Sequence, residues 1–497
     1  MIGEAYRKLE DRFRRIGALR DAESMLHWDL ATMMPKGGAP ARGDQLAVLG
    51  AVRHGLLIAS EVGDWLAEAE ADPSLDAWRR ADVREMKRQR AHATALSESQ
   101  VEALSRATTA CEAVWRGAKA DDDFSAVLPK LAALLALIRE AAAAKAESLG
   151  LSPYDALLDE YEPDGRSNEI DGVFADLARF LPDFLPRVVE RQASAPSPLA
   201  PPGPFPVNKQ RAVAVRFMER FGFNFHHGRL DVSLHPFCGG TPDDVRITAR
   251  YDEADFRSAL MGVMHETGHA LYERGLPAAW RGLPVGDARG MMLHESQSLL
   301  IEMQVCRSRA FLAFAAPVLR EEFGGDGPAW RADNLYRYYT RVEPGFVRVE
   351  ADEVTYPAHV ILRYDLERAM VAGELDPADL PGAWNDGMRE LLGITPPNDG
   401  LGCLQDIHWY DGAWGYFPTY TLGAMAAAQI FEAAVAADAT IPDAVARGEF
   451  APLVAWLRAN VHGKGSLLPA RELLTEATGR PLDPDAFKAH LRRRYLG

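Results

Sequence analysis

Two histidines and a glutamate, His265-Glu266-Thr267-Gly268-His269, form an H-E-x-x-H motif. On a helix each residue turns about 100°, so His265 and His269 fall about 40° apart on one face, one turn above the other. Two imidazoles placed this way can hold one metal ion from the same side. Glu266 then stands beside the first ligand, within reach of a metal-held water, as the general base of a zinc peptidase does.

The third ligand must lie elsewhere. The extended pattern H-E-x-x-H-x-x-G-x-x-H fails, because position 272 is Tyr and position 275 is Gly. Glu273 is one turn further along the same helix, and three successive turns of a straight helix do not converge on one ion. Glu295 sits on what reads as the next long helix, and two packed helices bring it to the histidines. Two neutral imidazoles and one carboxylate leave a coordination position open, as catalytic zinc requires. Around Glu295, the polar residues His294, Ser296, Gln297 and Ser298 precede the apolar run Leu299-Leu300-Ile301. They are placed to orient ligands from behind.

These residues need elements to hold them. The pattern predicts a helix over 253–274, with Asp252 as its N-cap, Asp255 in the first turn and Gly275 at the stop. Upstream, Leu230–Leu234 and Val245–Tyr251 alternate as strands, with His235-Pro236-Phe237-Cys238-Gly239-Gly240 between them, so a small sheet leads into the metal helix. Residues 2–30 carry Tyr6, Leu9, Phe13, Ile16 and Leu19 at helical spacing. The Pro- and Gly-bearing stretch from His27 to Arg42 reads as a loop. From there to 193 the pattern is nearly all helical, with breaks near Asp72-Pro73, Leu151-Ser152-Pro153 and Glu162-Pro163-Asp164-Gly165. Six prolines between Ser194 and Asn208 mark a stiff, extended connector rather than a packed element. Read as a boundary, it divides an N-terminal helical subdomain, 1–207, from a metal-binding catalytic subdomain, 208–497, within one peptidase unit; a surface loop within one domain is the alternative reading. After 288 the chain reads as helical almost to its end, apart from a long irregular loop over about 394–418.

Composition narrows the partners. The 497 residues are 47% hydrophobic and 25% charged, ordinary for a globular protein with a large core. A net charge of −16 argues against nucleic acid or an anionic membrane as the main partner. Four scattered cysteines without a C-x-x-C pair read as free thiols in a reducing compartment. The N-terminus has no apolar signal-peptide core, and no stretch reaches about 18 uninterrupted apolar residues, so a cytoplasmic protein is expected.

The motifs together resemble those of the thermostable carboxypeptidase Taq family of zinc metallocarboxypeptidases. They are His235-Pro236-Phe237; Asp244-x-Arg246-x-Thr248; the H-E-x-x-H at 265–269; His294-Glu295-Ser296-Gln297-Ser298; Arg348-Val349-Glu350-Ala351-Asp352; and Gly402-Cys403-Leu404-Gln405-Asp406-Ile407-His408-Trp409. Trp28-Asp29-x-x-Thr32-x-Met34-Pro35 and the segment Tyr154–Pro163 resemble it too. Val347 departs from the family's usual Ile, a conservative packing change. The resemblance implies a mainly α fold like neurolysin and angiotensin-converting enzyme, with a deep central groove and a small antiparallel sheet beside the metal helix. It implies a homodimer, and a zinc or cobalt ion on His265, His269 and Glu295. The activity implied is release of single C-terminal residues from peptides, with broad specificity and poor release of proline.

A carboxypeptidase must tell a chain end from a chain middle. The free carboxylate is the distinguishing group, and Arg reads it bidentately. By resemblance and by its apolar setting, Arg348 is the first choice; an internal pair with Glu350 or Asp352 is the competing reading. His408 and Tyr420, from an aromatic-rich stretch, are candidates to donate to an oxyanion or to the terminal carboxylate. His235 and Arg246 either shape the cleft near the sheet or serve the sheet itself, whose edge offers pairing to peptide backbone. An endo-oligopeptidase or dipeptidase on the same fold, or an inactive peptide-binding relative, are the alternatives.

Overall fold

A computed structural model describes residues 3–497. Helices dominate it, and one three-stranded sheet interrupts them. The first helix, Glu4–Thr32, buries Tyr6, Leu9, Phe13 and Ile16 as their spacing requires; residues 1 and 2 lie outside the described residues. It runs on through His27 and Trp28, so the loop expected from His27 begins only at Met33. The cause is Trp28, which is buried with the guanidinium groups of Arg246 and Arg229 over its ring at 4.5 and 5.1 Å. That cation–π contact needs Trp28 held on a rigid element.

The first helix, with Val62, Leu66, Val83 and Met86 from the helices that follow, builds a separate small core closed by Leu283. The main core draws on residues from Cys111 to Tyr495. The proline-rich connector is irregular, as its composition predicts, but it is packed. Leu199 exchanges two hydrogen bonds with the Asn334 side chain, at 2.9 and 2.8 Å. Phe205 is buried among Phe256, Phe323 and Trp330.

The sheet is mixed rather than antiparallel throughout. Its strands β1 (Gly228–Val232), β2 (Cys238–Thr241) and β3 (Asp244–Ala249) are ordered β1-β3-β2. β2 and β3 form a tight antiparallel hairpin, while β1 pairs with β3 in parallel. The reason is that Cys238-Gly239-Gly240 is itself a strand. It takes the hairpin position beside β3 and leaves β1 the far edge.

The metal helix spans Phe256–Gly275. It starts one turn later than expected, because Asp255 caps it by accepting from Arg257 N, while Asp252 closes the preceding turn through Ala254 N. The second site helix, Gly290–Leu299, runs directly into a π-helical segment, Leu300–Cys306. Two glycines set how closely these helices approach. A Cβ on Gly268 would meet the Gln297 carbonyl oxygen at 2.4 Å, and one on Gly423 would meet Glu295 Cβ at 2.7 Å. The apolar helix Pro418–Ala437, which carries Gly423, therefore presses Glu295 from below while the metal helix lies against its other side.

Candidate metal centre and groove

The two site helices bring His265, His269 and Glu295 together. Glu295 Oε1 lies 3.9 Å from His265 Nε2, and its Oε2 lies 3.5 Å from His269 Nε2. One ion bound at about 2.0–2.2 Å from each atom spans such separations. The other ring nitrogens are engaged elsewhere. His265 Nδ1 is 2.9 Å from Glu302 Oε2, and His269 Nδ1 is 2.7 Å from His294 Nδ1. His294 Nε2 is in turn 2.8 Å from Glu273 Oε1. Each histidine thus presents Nε2 to the centre and a proton on Nδ1 to a partner behind it, the arrangement of an oriented metal ligand. Glu273, unsuited as a ligand, belongs to this rear support.

The charges around the centre suit a cation. Burial, joined by the neighbouring His294, depresses His269 to about 4, so its ring is neutral. Burial also works against charge on His265, but Glu295, Glu302 and Glu266 outweigh it and raise this histidine to about 10. Glu295 shows the reverse balance: burial is overcome by His265 and His269, which hold its carboxyl near 2. A site that draws a proton this strongly onto one histidine is electronegative, and a divalent ion on the same donors satisfies it. Glu266 also faces the cavity and has no protein hydrogen bond among the described residues. Burial pushes its carboxyl up to about 7, with His265 opposing and Glu295 adding. That value suits a group that takes and returns protons near neutrality.

The groove above the centre encloses a cavity of about 620 Å³, a usual size for a small-ligand site. Pro236 and Phe237, in the connection just before β2, and Cys238 at its start line this cavity. Arg348, Tyr356, Tyr416 and Tyr420 line it as well. Arg348 does not pair with Glu350 or Asp352. Its Nε and Nη2 clasp Asp406 at 3.2 and 2.8 Å, and its Nη1 donates to Tyr356 Oη at 3.1 Å. Arg363, fully buried, donates to the same Asp406 at 2.6 Å. Two guanidiniums share one carboxylate, so the cluster keeps a net positive charge beside the cavity.

Tyr420 lines the cavity, and His408 stands behind it with Nε2 3.1 Å from the Tyr420 hydroxyl. Burial keeps His408 neutral, near 4. The loop carrying His408 hangs on Glu367, which accepts from Tyr154, Trp409 and the Gly415 amide. His235 and Arg246 are not among the cavity-lining residues. His235 is exposed in the connection between β1 and β2, and Arg246 pairs with Asp244 at 2.6 Å while covering Trp28. Sequence reasoning missed Glu302, Asp406, Arg363, Tyr356 and Tyr416. Two carried a signal: Asp406, an acid inside the segment that also holds His408, and Tyr416, in the aromatic-rich stretch that supplies Tyr420.

The sequence pattern described as Carboxypeptidase Taq (M32) metallopeptidase matches residues 8–495. Thermostable carboxypeptidase 1 of Thermus thermophilus is 38% identical, over 99% of this chain and 98% of its own. Carboxypeptidase 1 of Bacillus subtilis is 33% identical, over 98% and 97%. Among solved structures, Trypanosoma cruzi metallocarboxypeptidase 1 superposes with a TM-score of 0.97 at 41% identity, covering 99% of this chain and all of that one. With a His-His-Glu centre in a helical groove and full-length likeness of this kind, the chain belongs to the carboxypeptidase Taq (M32) family of metallopeptidases, hydrolases of peptide bonds.

Proposed function

We propose that this carboxypeptidase removes single residues from peptide C-termini, using zinc held by His265, His269 and Glu295. The observation that carries the reading is that one buried arginine, Arg348, lines the same cavity as the metal set and Glu266. Its Nη1 is the edge not committed to Asp406, and it donates to the Tyr356 hydroxyl. A terminal carboxylate entering the cavity meets this edge and the net positive charge behind it.

A divalent ion on these ligands lowers the pKa of water and polarises a carbonyl. Glu266 accepts the proton of the attacking water and passes it to the leaving amine. Tyr420, steadied by the neutral His408, donates to the developing oxyanion or to the terminal carboxylate. A C-terminal proline is a poor substrate, because its tertiary amide lacks the N–H and the freedom of an ordinary peptide bond. Four free thiols, three of them buried, favour a reducing cytoplasmic setting, and a homodimer accompanies the family reading.

The test is one substrate pair: a blocked dipeptide such as benzyloxycarbonyl-Ala-Arg and its C-terminal amide. Chelated protein should release no arginine, zinc should restore release from the free acid, and the amide should be cut at least about a hundredfold more slowly. Equal rates on the two make the protein an endopeptidase instead.

A further inference from the structure

The C-terminal helix, Pro484–Tyr495, lies far along the chain from every metal ligand, yet it reaches the wall behind two of the groove's working parts. The π-helical segment Leu300–Cys306 ends with two carbonyls the helix does not use. Arg307 N turns back to Glu302 O, and Ser308 N turns to Val305 O, which leaves the Met303 and Gln304 carbonyls without a backbone donor among the described residues. Arg494 supplies it. Its Nη1 donates to Met303 O at 2.6 Å, and its Nη2 reaches Gln304 O at 3.5 Å. π segments recur at functional sites because they re-aim side chains. Here the re-aimed side chain is Glu302, which holds His265 and is itself held by Arg307 at 2.6 Å.

The same Arg494 Nη1 donates to Glu353 at 2.9 Å. Glu353 lines the cavity and lies five residues beyond Arg348 in one continuous segment. Tyr495 Oη donates to it at 3.0 Å, and His490 Nε2 lies 2.8 Å away. All of these groups are nearly or fully buried.

We infer that Arg494 is a positioning residue. It clamps the π segment that orients His265 to the segment that carries Arg348, and so fixes the metal ligand and the carboxylate reader relative to each other. The clamp rests on the reading of His265, His269 and Glu295 as a zinc site, and its test separates the two.

Zinc affinity is measured by competition with a chromophoric chelator, alongside KM for benzyloxycarbonyl-Ala-Arg, on the full chain. Outer supports of a metal ligand are worth about 10–100-fold in affinity, and this one acts through Glu302. Arg494→Met is therefore expected to weaken zinc about tenfold and to raise KM severalfold. Arg494→Lys, which keeps the charge and one donor, should recover part of both. Glu353→Gln should raise KM with less effect on zinc. The control is Lys488→Met, which removes contacts of 2.5 Å to Asp176 and 2.8 Å to Asp485 elsewhere on the same helix. It should lower thermal stability and leave zinc affinity within twofold of wild type. Wild-type zinc affinity in Arg494→Met, or equal weakening by Lys488→Met, overturns the clamp alone. Absence of zinc binding by the wild type overturns the metal reading on which it stands.

Discussion

The two working walls of the groove are built in opposite ways. On the metal wall, two helices close in the chain supply every proposed ligand, and acids one layer back orient them: Glu302 behind His265, and Glu273 through His294 behind His269. On the carboxylate wall, no single element carries the site: Arg363 and Tyr420 stand on two different helices, Tyr356–Ala372 and Pro418–Ala437, and Asp406 on an irregular loop. Arg348, Arg363, Asp406 and Tyr420 come from separate segments; Asp406 holds the two arginines together, and His408, two residues on, holds Tyr420. The metal wall is fixed by helix geometry, which a short motif encodes. The carboxylate wall is fixed by a charge cluster, which depends on how distant segments of the chain meet.

The largest effect should come from Glu266→Gln, which leaves the ligand set intact and removes the proton acceptor. Turnover should fall roughly a hundred- to ten-thousandfold, with metal content by elemental analysis unchanged. Loss of metal would show that Glu266 helps hold the ion, and the metal wall would then be less separable than the helices make it look. Asp406→Asn probes the other wall. It strands two buried guanidiniums, at a cost on the order of 3–5 kcal/mol of stability. The freed Arg348 fork loses its fixed orientation, so KM for free-carboxylate peptides should rise about tenfold or more while zinc affinity stays unchanged. Weakened zinc binding would mean that the walls are coupled through Asp406 as well as through Arg494.

That contrast also explains what could be read from the residues alone. His265, His269 and Glu295 were legible because two helices with fixed pitch bring them together. Their proximity also needed Gly268 and Gly423, whose role appears only once the helices are packed. Arg348 was legible as an arginine in an apolar setting that resembles a family motif, but its partner was not. Glu350 and Asp352 are near in sequence, whereas Asp406 is brought in by the 393–417 loop. The helical class and the irregular backbone of the proline-rich stretch and of the 393–417 loop followed from periodicity and proline content; the packing of Leu199 and Phe205 in that stretch did not. The sheet's mixed topology did not, because a four-residue strand of Cys-Gly-Gly-Thr has no alternation to detect.

A smaller effect separates the walls by pH. The segment between the two metal helices is tied down by Asp82, which accepts from the Val285 amide at 3.1 Å and from the Tyr6 hydroxyl at 2.9 Å. Asp82 is fully buried without a cation, and burial raises its carboxyl to about 7. Asp406 is the opposite case, held far below the usual range by Arg363 and Arg348 in spite of burial. The signs follow. Below about pH 4 Asp82 is protonated folded and unfolded alike, and its environment costs nothing. Between about 4 and about 7 the unfolded chain loses the proton first, so stability falls as pH rises, and it levels off above. The full swing is about 4 kcal/mol, three pKa units at 1.36 kcal/mol each. Asp82→Asn stays neutral and lacks this slope. Its thermal midpoint, measured from pH 5 to pH 8, should gain on wild type as pH rises, whereas the deficit of Asp406→Asn should stay constant over the same range. Parallel curves for Asp82→Asn and wild type would mean that Asp82 is ionised when folded, and that the metal wall is anchored by charge just as the carboxylate wall is.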